Sequence, residues 1–327
     1  MVKDAVGLLV ALYAVFSGMN DGGNLLGTFL LTRSIAPRFL VPILILSVIA
    51  GPFLLGTAVS HTIAVQILNF PRVGLDVLGA SILAALLTLL TSWVLRVPSS
   101  TTVALAGGMV GVAWATGPRH AIHWLGVDKV AVGVGGSLVV GFIVCFVAAK
   151  ILWRVLHDAS VTTGRRLGYL QPLTVIAQGL AYGANGFEKS LGLAALFDVM
   201  AIHPAPFGVT APVIGIVGLL WVVGLMLGGI RIARTIGGHI FRVRPLHSVT
   251  VQASSALVVV AAALMGVPVS NTQALDGALF GLGSALAPRR VQWRTASRIF
   301  GAWVAVVPLS LAAGFLVMMA AHAVAGL

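Results

Sequence analysis

Charge is what this chain has least of: only 9% of its 327 residues are Asp, Glu, Lys or Arg, and 8 are acidic. A water-soluble domain carries about 25% charged residues, so most of this surface is not built to face water. Cysteine is nearly absent too. The lone Cys145 lies inside an apolar run, which excludes a disulfide framework and a thiolate metal cluster and leaves a small buried hydrophobe. A cleavage site is lacking after the start at Met1 to Lys3, and the apolar run that follows is too long for a signal-peptide core, so it reads as a first span. A Gly-x-Ser-x-Gly elbow is missing, and no histidine neighbours the hydroxyl clusters described below. Both absences argue against a membrane-embedded hydrolase, which needs a nucleophile beside a base, and no enzyme is expected.

What the chain does have is long apolar runs; 59% of it is hydrophobic. A spanning helix needs about 20 mainly apolar residues. Segments of that kind fall near 5–32, 39–57, 77–95, 97–116, 130–149, 173–200, 207–229, 248–265, 267–288 and 299–325, with a shorter apolar piece at 58–70. The expected fold is an all-α integral membrane protein of about ten spans in contact with lipid. Net charge is +12, yet the basic residues cluster in connections: Lys150, Arg154, Arg165 and Arg166; Arg231, Arg234, Arg242 and Arg244; Arg289, Arg290, Arg294 and Arg298. That placement fits cationic loops held on the cytoplasmic side of the cytoplasmic (inner) membrane and excludes a nucleic-acid partner. Putting loop 150–172 inside also brings Arg33, Arg38 and Arg96 inside, and both termini outside. Trp93, Trp114, Trp124 and Trp153 sit near span ends as an aromatic belt would.

Two motifs occur twice, in the same order. Gly18-Met19-Asn20-Asp21-Gly22-Gly23-Asn24 returns as Gly183-Ala184-Asn185-Gly186-Phe187-Glu188-Lys189. Val97-Pro98-Ser99-Ser100-Thr101-Thr102, running on to Gly107 and Gly111, returns as Val267-Pro268-Val269-Ser270-Asn271-Thr272, running on to Gly277 and Gly281. The chain therefore divides into a first repeat (1–149), a basic linker (150–172) and a second repeat (173–327). Each repeat holds an odd number of spans, about five, so the second enters the membrane inverted, the plan of secondary transporters that bind cargo near the midplane on broken or re-entrant helices.

A carboxylate inside a span costs about 2.5–3.5 kcal/mol on insertion scales, and one that is kept marks an ion path or a binding site. Asp21 is such a group. With Asn20, Asn24 and, in the second copy, Asn185, it offers hard oxygen ligands suited to sodium, and the surrounding glycines are expected to let the helix unwind there. The Pro-Ser/Thr runs read as helix starts inside the membrane. Free first-turn N–H groups, helped by the hydroxyls of Ser99, Ser100, Thr101 and Thr102 and by Ser270, Asn271 and Thr272, would cradle a tetrahedral oxyanion. Lys189 stands where the first copy has Asn24 and is placed to neutralise cargo charge or to replace a bound cation. Since adjacent helical residues do not face each other, its partner should be Asp21 or Asp276 rather than Glu188. His61 reads as interfacial, and His120, His123 and His203 show no metal-ligand pattern.

These paired motifs resemble those of the inorganic phosphate transporter (PiT) family over nearly the whole chain, Gly18 to Gly281. The resemblance implies a sodium- or proton-coupled phosphate symporter with no cofactor, an inverted-repeat helical fold and a homodimer. It assigns Asp21 and Asn24 to cation and phosphate, and Ser99 to Thr102 with Ser270 to Thr272 to phosphate. Gly186 departs from the pattern, replacing its second aspartate. Val103 and Gln273 replace a histidine, and Asn271 a threonine. Some relatives with altered motifs carry sulfate, so a sulfate permease of the same fold is the alternative. Phosphate can donate a proton where sulfate cannot, and the acceptor Asp21 favours it. An anion channel would use the same cradles but would not need a buried carboxylate.

Overall fold

A computed structural model of the chain describes residues 2–30, 35–68, 70–95, 99–117, 122–155, 170–229 and 245–325. Pro98, Arg33, Arg96, His120, Arg165, Arg166, Arg231, Arg234, Arg242 and Arg244, and residues 156–169 of the basic linker, lie outside them. Long apolar segments leave the backbone no solvent to bond with, so each closes its own hydrogen bonds as helix. The order is α1 (Val2–Leu30), α2 (Pro37–Leu55), a short α3 (Ala58–His61) continued by a π-helical turn (Thr62–Gln66), α4 (Phe70–Val94), α5 (Thr101–Thr116) and α6 (Trp124–Val155). After the linker come α7 (Gln171–Tyr182), a π-helical turn (Gly183–Phe187) and α8 (Glu188–Phe197), then α9 (Ala211–Gly224), α10 (Pro245–Leu264), α11 (Asn271–Leu286) and α12 (Trp293–Ala325). Among the described residues the β structure is a single bridge, Leu68 to Ile122.

Helix covers all ten expected segments, and the piece at 58–70 is α3 with its wider turn. Seven helices are long and apolar enough to cross a membrane by length and composition. The other three segments differ. The stretch from α7 into α8 is interrupted by polar residues, and α5 and α11 have 16 residues each, about 24 Å at 1.5 Å per residue. That is short of a hydrocarbon core of about 30 Å. Hydroxyls inside α4 return to their own helix: Ser81, Thr88 and Ser92 donate to the carbonyls of Val77, Ala84 and Thr88 at 2.7, 2.8 and 3.0 Å.

Helix pairing follows an exchange. α1 packs on α9 while α7 packs on α2; α5 packs on α12 while α11 packs on α6; α1–α4 is matched by α7–α10, and α4–α5 by α10–α11. The repeated glycines make the contacts. A methyl on Gly18 would strike the Trp221 carbonyl of α9, and one on Gly183 the Val48 carbonyl of α2. Methyls on Gly107 and Gly111 would strike Ser310 and Leu311 of α12, and on Gly277 and Gly281 the carbonyls of Leu138 and Phe142 of α6. Small residues let helix backbones approach in lipid, where no hydrophobic effect drives helices together. This corrects the expected unwinding at Gly18 to Gly27: α1 runs unbroken through it, and its glycines serve close packing. Only the second copy departs from α geometry, as the π-helical turn Gly183–Phe187.

Candidate functional site

The starts of α5 and α11 are built alike. Ser100 and Ser270 have extended backbones and cap the two helices, their hydroxyls accepting from the N–H of Val103 and Gln273, each at 3.3 Å. All seven hydroxyl and amide residues of the two starts, Ser99 to Thr102 and Ser270 to Thr272, are buried. Two first turns with unpaired N–H groups thus lie inside the protein, each with a positive helix end behind it.

Asp21 of α1 and Lys189 of α8 meet at the first of them. The Lys189 ammonium donates to the hydroxyls of Thr101 and Thr102, both at 2.8 Å, and lies 3.9 Å from Asp21 Oδ2. The Thr101 hydroxyl in turn donates a hydrogen bond to Asp21, 3.2 Å to the nearer oxygen, and Thr102 donates to the Val269 carbonyl at 2.8 Å. The Asn20 amide donates to Asp21 Oδ1 (3.2 Å) and to the Ser99 carbonyl (3.4 Å). Asp21 and Lys189 are 2% and 1% exposed, so each charge is tolerable only because the other is there. Of the partners expected for Lys189, Asp21 is the one that pairs with it.

The second cradle closes on the same centre. Asn24 Nδ2 donates to Thr272 Oγ1 at 2.6 Å, while the Asn24 and Asn185 side-chain oxygens and both amide atoms of Asn271 are buried without partners. Asn185 donates to the Val267 carbonyl at 3.3 Å. Gly186 touches Asp21 across the gap between repeats: a Cβ there would stand 2.6 Å from Asn271 Nδ2 and 2.9 Å from Asp21 Oδ2. Of the residues expected to hold a cation, Asn20 bonds Asp21, Asn24 bonds Thr272 of α11, and Asn185 bonds the Val267 carbonyl ahead of Ser270. Among the described residues no three His, Cys, Asp or Glu side chains converge on a metal position, so amide, hydroxyl and carbonyl oxygens would have to hold a monovalent ion.

The partners of other buried polar groups were not foreseen from the sequence. Glu188 seats its carboxylate on the short α3, where the Ser60 N–H donates to it at 3.0 Å. The Ser60 hydroxyl donates to the Glu188 carbonyl at 2.8 Å. A polar seam runs between α7 and α10, with Gln171 and Thr174 donating to Gln252 Oε1 at 2.8 and 2.9 Å. The spacing 171, 174, 178, 182, 185 was its signal, one polar side chain per helical turn. His61 is exposed, edge-on to Phe207, and His203 bonds Asp198 at 2.9 Å.

Comparison with known proteins adds to this geometry. Residues 17–314 match the model of a family described as the phosphate transporter family. A "Probable low-affinity inorganic phosphate transporter" of Rhizobium meliloti is 29% identical over 98% of this chain and 97% of its own length. One of Mycobacterium leprae is 28% identical over 95% of this chain and 76% of its own. A solved structure titled "The sodium-dependent phosphate transporter" superposes with a TM-score of 0.83 at 20% identity, covering 98% of both chains, and shares the fold.

Proposed function

The chain belongs to the phosphate transporter family and is a multi-pass membrane protein; from that premise we propose that it is a secondary active symporter of inorganic phosphate. It draws on a sodium or proton gradient across the cytoplasmic membrane. One observation carries the reading: two buried, serine-capped helix starts meet at a single carboxylate–ammonium pair, Asp21 and Lys189. The first-turn amides with Ser99 to Thr102 and Ser270 to Thr272 supply donors to the anion. Lys189 offsets part of its charge, and Asp21 accepts the proton that a phosphate monoanion or dianion still carries. Asn20, Asp21, Asn24 and Asn185 offer oxygens to the coupling cation. Asp21 is what favours phosphate over sulfate, which has no proton to give at neutral pH.

In this reading the repeats are inverted copies that rock against each other around the cradles. The exchanged helix pairs support it: α1–α9 is answered by α7–α2 and α5–α12 by α11–α6, with the partners in traded halves. The test is uptake into proteoliposomes of labelled phosphate and, in parallel, labelled sulfate, under a sodium or a proton gradient. Gradient-dependent phosphate uptake, abolished in Asp21→Asn with the protein still monodisperse, is the expected result. Sulfate uptake that phosphate does not compete against would overturn the substrate, and uptake indifferent to both gradients would make the protein a channel.

A further inference from the structure

The second repeat lacks an aspartate at Gly186, and the fold shows why none fits. A Cβ at that position already crowds Asn271 and the Asp21 carboxylate, so a second carboxylate there would press against the first. The second repeat nevertheless contains two buried carboxylates, Glu188 and Asp276, each 1–2% exposed. Their situations differ. Glu188 is committed to α3 through the N–H and hydroxyl of Ser60. Asp276 is not held in that way: its Oδ1 is buried with no hydrogen-bond partner, and no ion pair reaches it among the described residues.

Lys189 cannot serve it. The ammonium has three protons, two of them bonded to Thr101 and Thr102, and its ion pair among the described residues is with Asp21 at 3.9 Å. A carboxylate in the interior with no protein cation has to be neutralised by something that arrives from outside. The surroundings suit a small cation. Asp276 lies one turn after Thr272 on α11, so the two share a helix face. Asn24 is tied to Thr272 at 2.6 Å, and its own Oδ1 is buried and unpartnered. Tyr182, fully buried, is within electrostatic reach of both Asp21 and Asp276. The first repeat has Ala106 at the position equivalent to Asp276, as the second has Gly186 at that of Asp21. The carboxylate of the first repeat, Asp21, is paired with Lys189, whereas Asp276 of the second, on a different helix, has an Oδ1 with no partner.

We infer that Asp276 is the coupling carboxylate of the second repeat and, with Asn24 Oδ1 and Thr272 Oγ1, takes a monovalent cation that travels with the oxyanion. This rests on the symporter reading. The cation is a proton or an alkali ion, and separate proton and sodium arms of the experiment distinguish them. Purified wild type, Asp276→Asn and Asp276→Glu are compared for the rise in melting temperature on adding sodium or acid. In proteoliposomes they are compared for the steepness of phosphate uptake against cation concentration, and for phosphate accumulation under a tenfold cation gradient.

Loss of one coupled cation lowers the accumulation limit about tenfold under that gradient, because each decade contributes about one decade of driving force. The expected result is that drop in Asp276→Asn, with a smaller cation-dependent melting shift and a shallower concentration dependence, both recovered in part by Asp276→Glu. Unchanged steepness and unchanged melting shift in Asp276→Asn would overturn the inference. Should that variant not fold, Asp276→Glu decides: it keeps the charge but moves the oxygens, so an altered cation dependence supports the site and an unaltered one removes it. Wild type that fails to exchange labelled phosphate at equal concentrations removes the symporter reading instead, while the melting shifts still test Asp276.

Discussion

The two copies of the paired motifs share packing contacts and differ in chemistry. Gly18 and Gly183, Gly107 and Gly277, Gly111 and Gly281 each press against the backbone or side chain of a helix from the other half, and Ser100 and Ser270 cap their helices with the same bond at the same length. At the centre the match stops: Asp21 faces Gly186, Asn24 is answered by Lys189, Thr101 by Asn271, and Ala106 by Asp276. Close helix contact is needed wherever two helices cross, so both copies bear the same requirement. Charge is needed once at a shared centre, and a second copy there would repel the first.

A further contrast lies along the helices leading away from the centre. Between α7 and α10 the facing residues include Gln171, Thr174, Gln178, Gln252 and Ser255. The equivalent surfaces of α1 and α4 carry Val6, Leu9, Tyr13, Ile82 and Ala85 in one apolar cluster. One seam is held by hydrogen bonds and the other by close packing.

Breaking the shared charge pair should have the largest effect on stability. Lys189→Met leaves Asp21 buried and unpaired and should cost about 3–5 kcal/mol. Adding Asp21→Asn should recover much of that loss without restoring uptake, which thermal unfolding in detergent and proteoliposome transport would separate. Gly111→Leu and Gly281→Leu come next, each destabilising by about 1–3 kcal/mol through overpacking. The point of this pair is equality, and a large difference between the halves would undo the claim that both crossings bear one requirement. Gln252→Leu removes the acceptor of two interhelical bonds and should cost about 1–2 kcal/mol in all, whereas Ile82→Leu in the apolar seam should be nearly silent in the same unfolding assay. Apart from that silent control, the smallest effects are expected for Ser100→Ala and Ser270→Ala, about 1 kcal/mol each, again matched across the two helix starts.

Much of this could be read from the chain alone. Asp21 and the run Ser99 to Thr102 stand out as polar residues in apolar surroundings, and the structure brings them within hydrogen-bonding distance. The glycines around Asp21 were harder to read. Glycine permits unwinding and also permits close approach, and only the position of Trp221 and Leu225 against Gly18 and Gly22 shows that the second use applies. Glu188 was similarly opaque, because its partners on α3 lie 128 residues away.

Apolar length, scarcity of charge and the twofold recurrence of two motifs are local properties of the chain, and they suffice for the membrane class, the helical segments and the candidate residues. They suffice because a backbone in lipid has no other way to satisfy its own hydrogen bonds than to coil along each apolar run. That Lys189 reaches Thr101, Thr102 and Asp21, that Gly186 abuts Asp21, and that Asp276 Oδ1 is left without a partner among the described residues belong to the folded molecule. Those relations join residues on separate helices, and the distances between them depend on how closely glycine lets the helices cross, which no stretch of sequence contains.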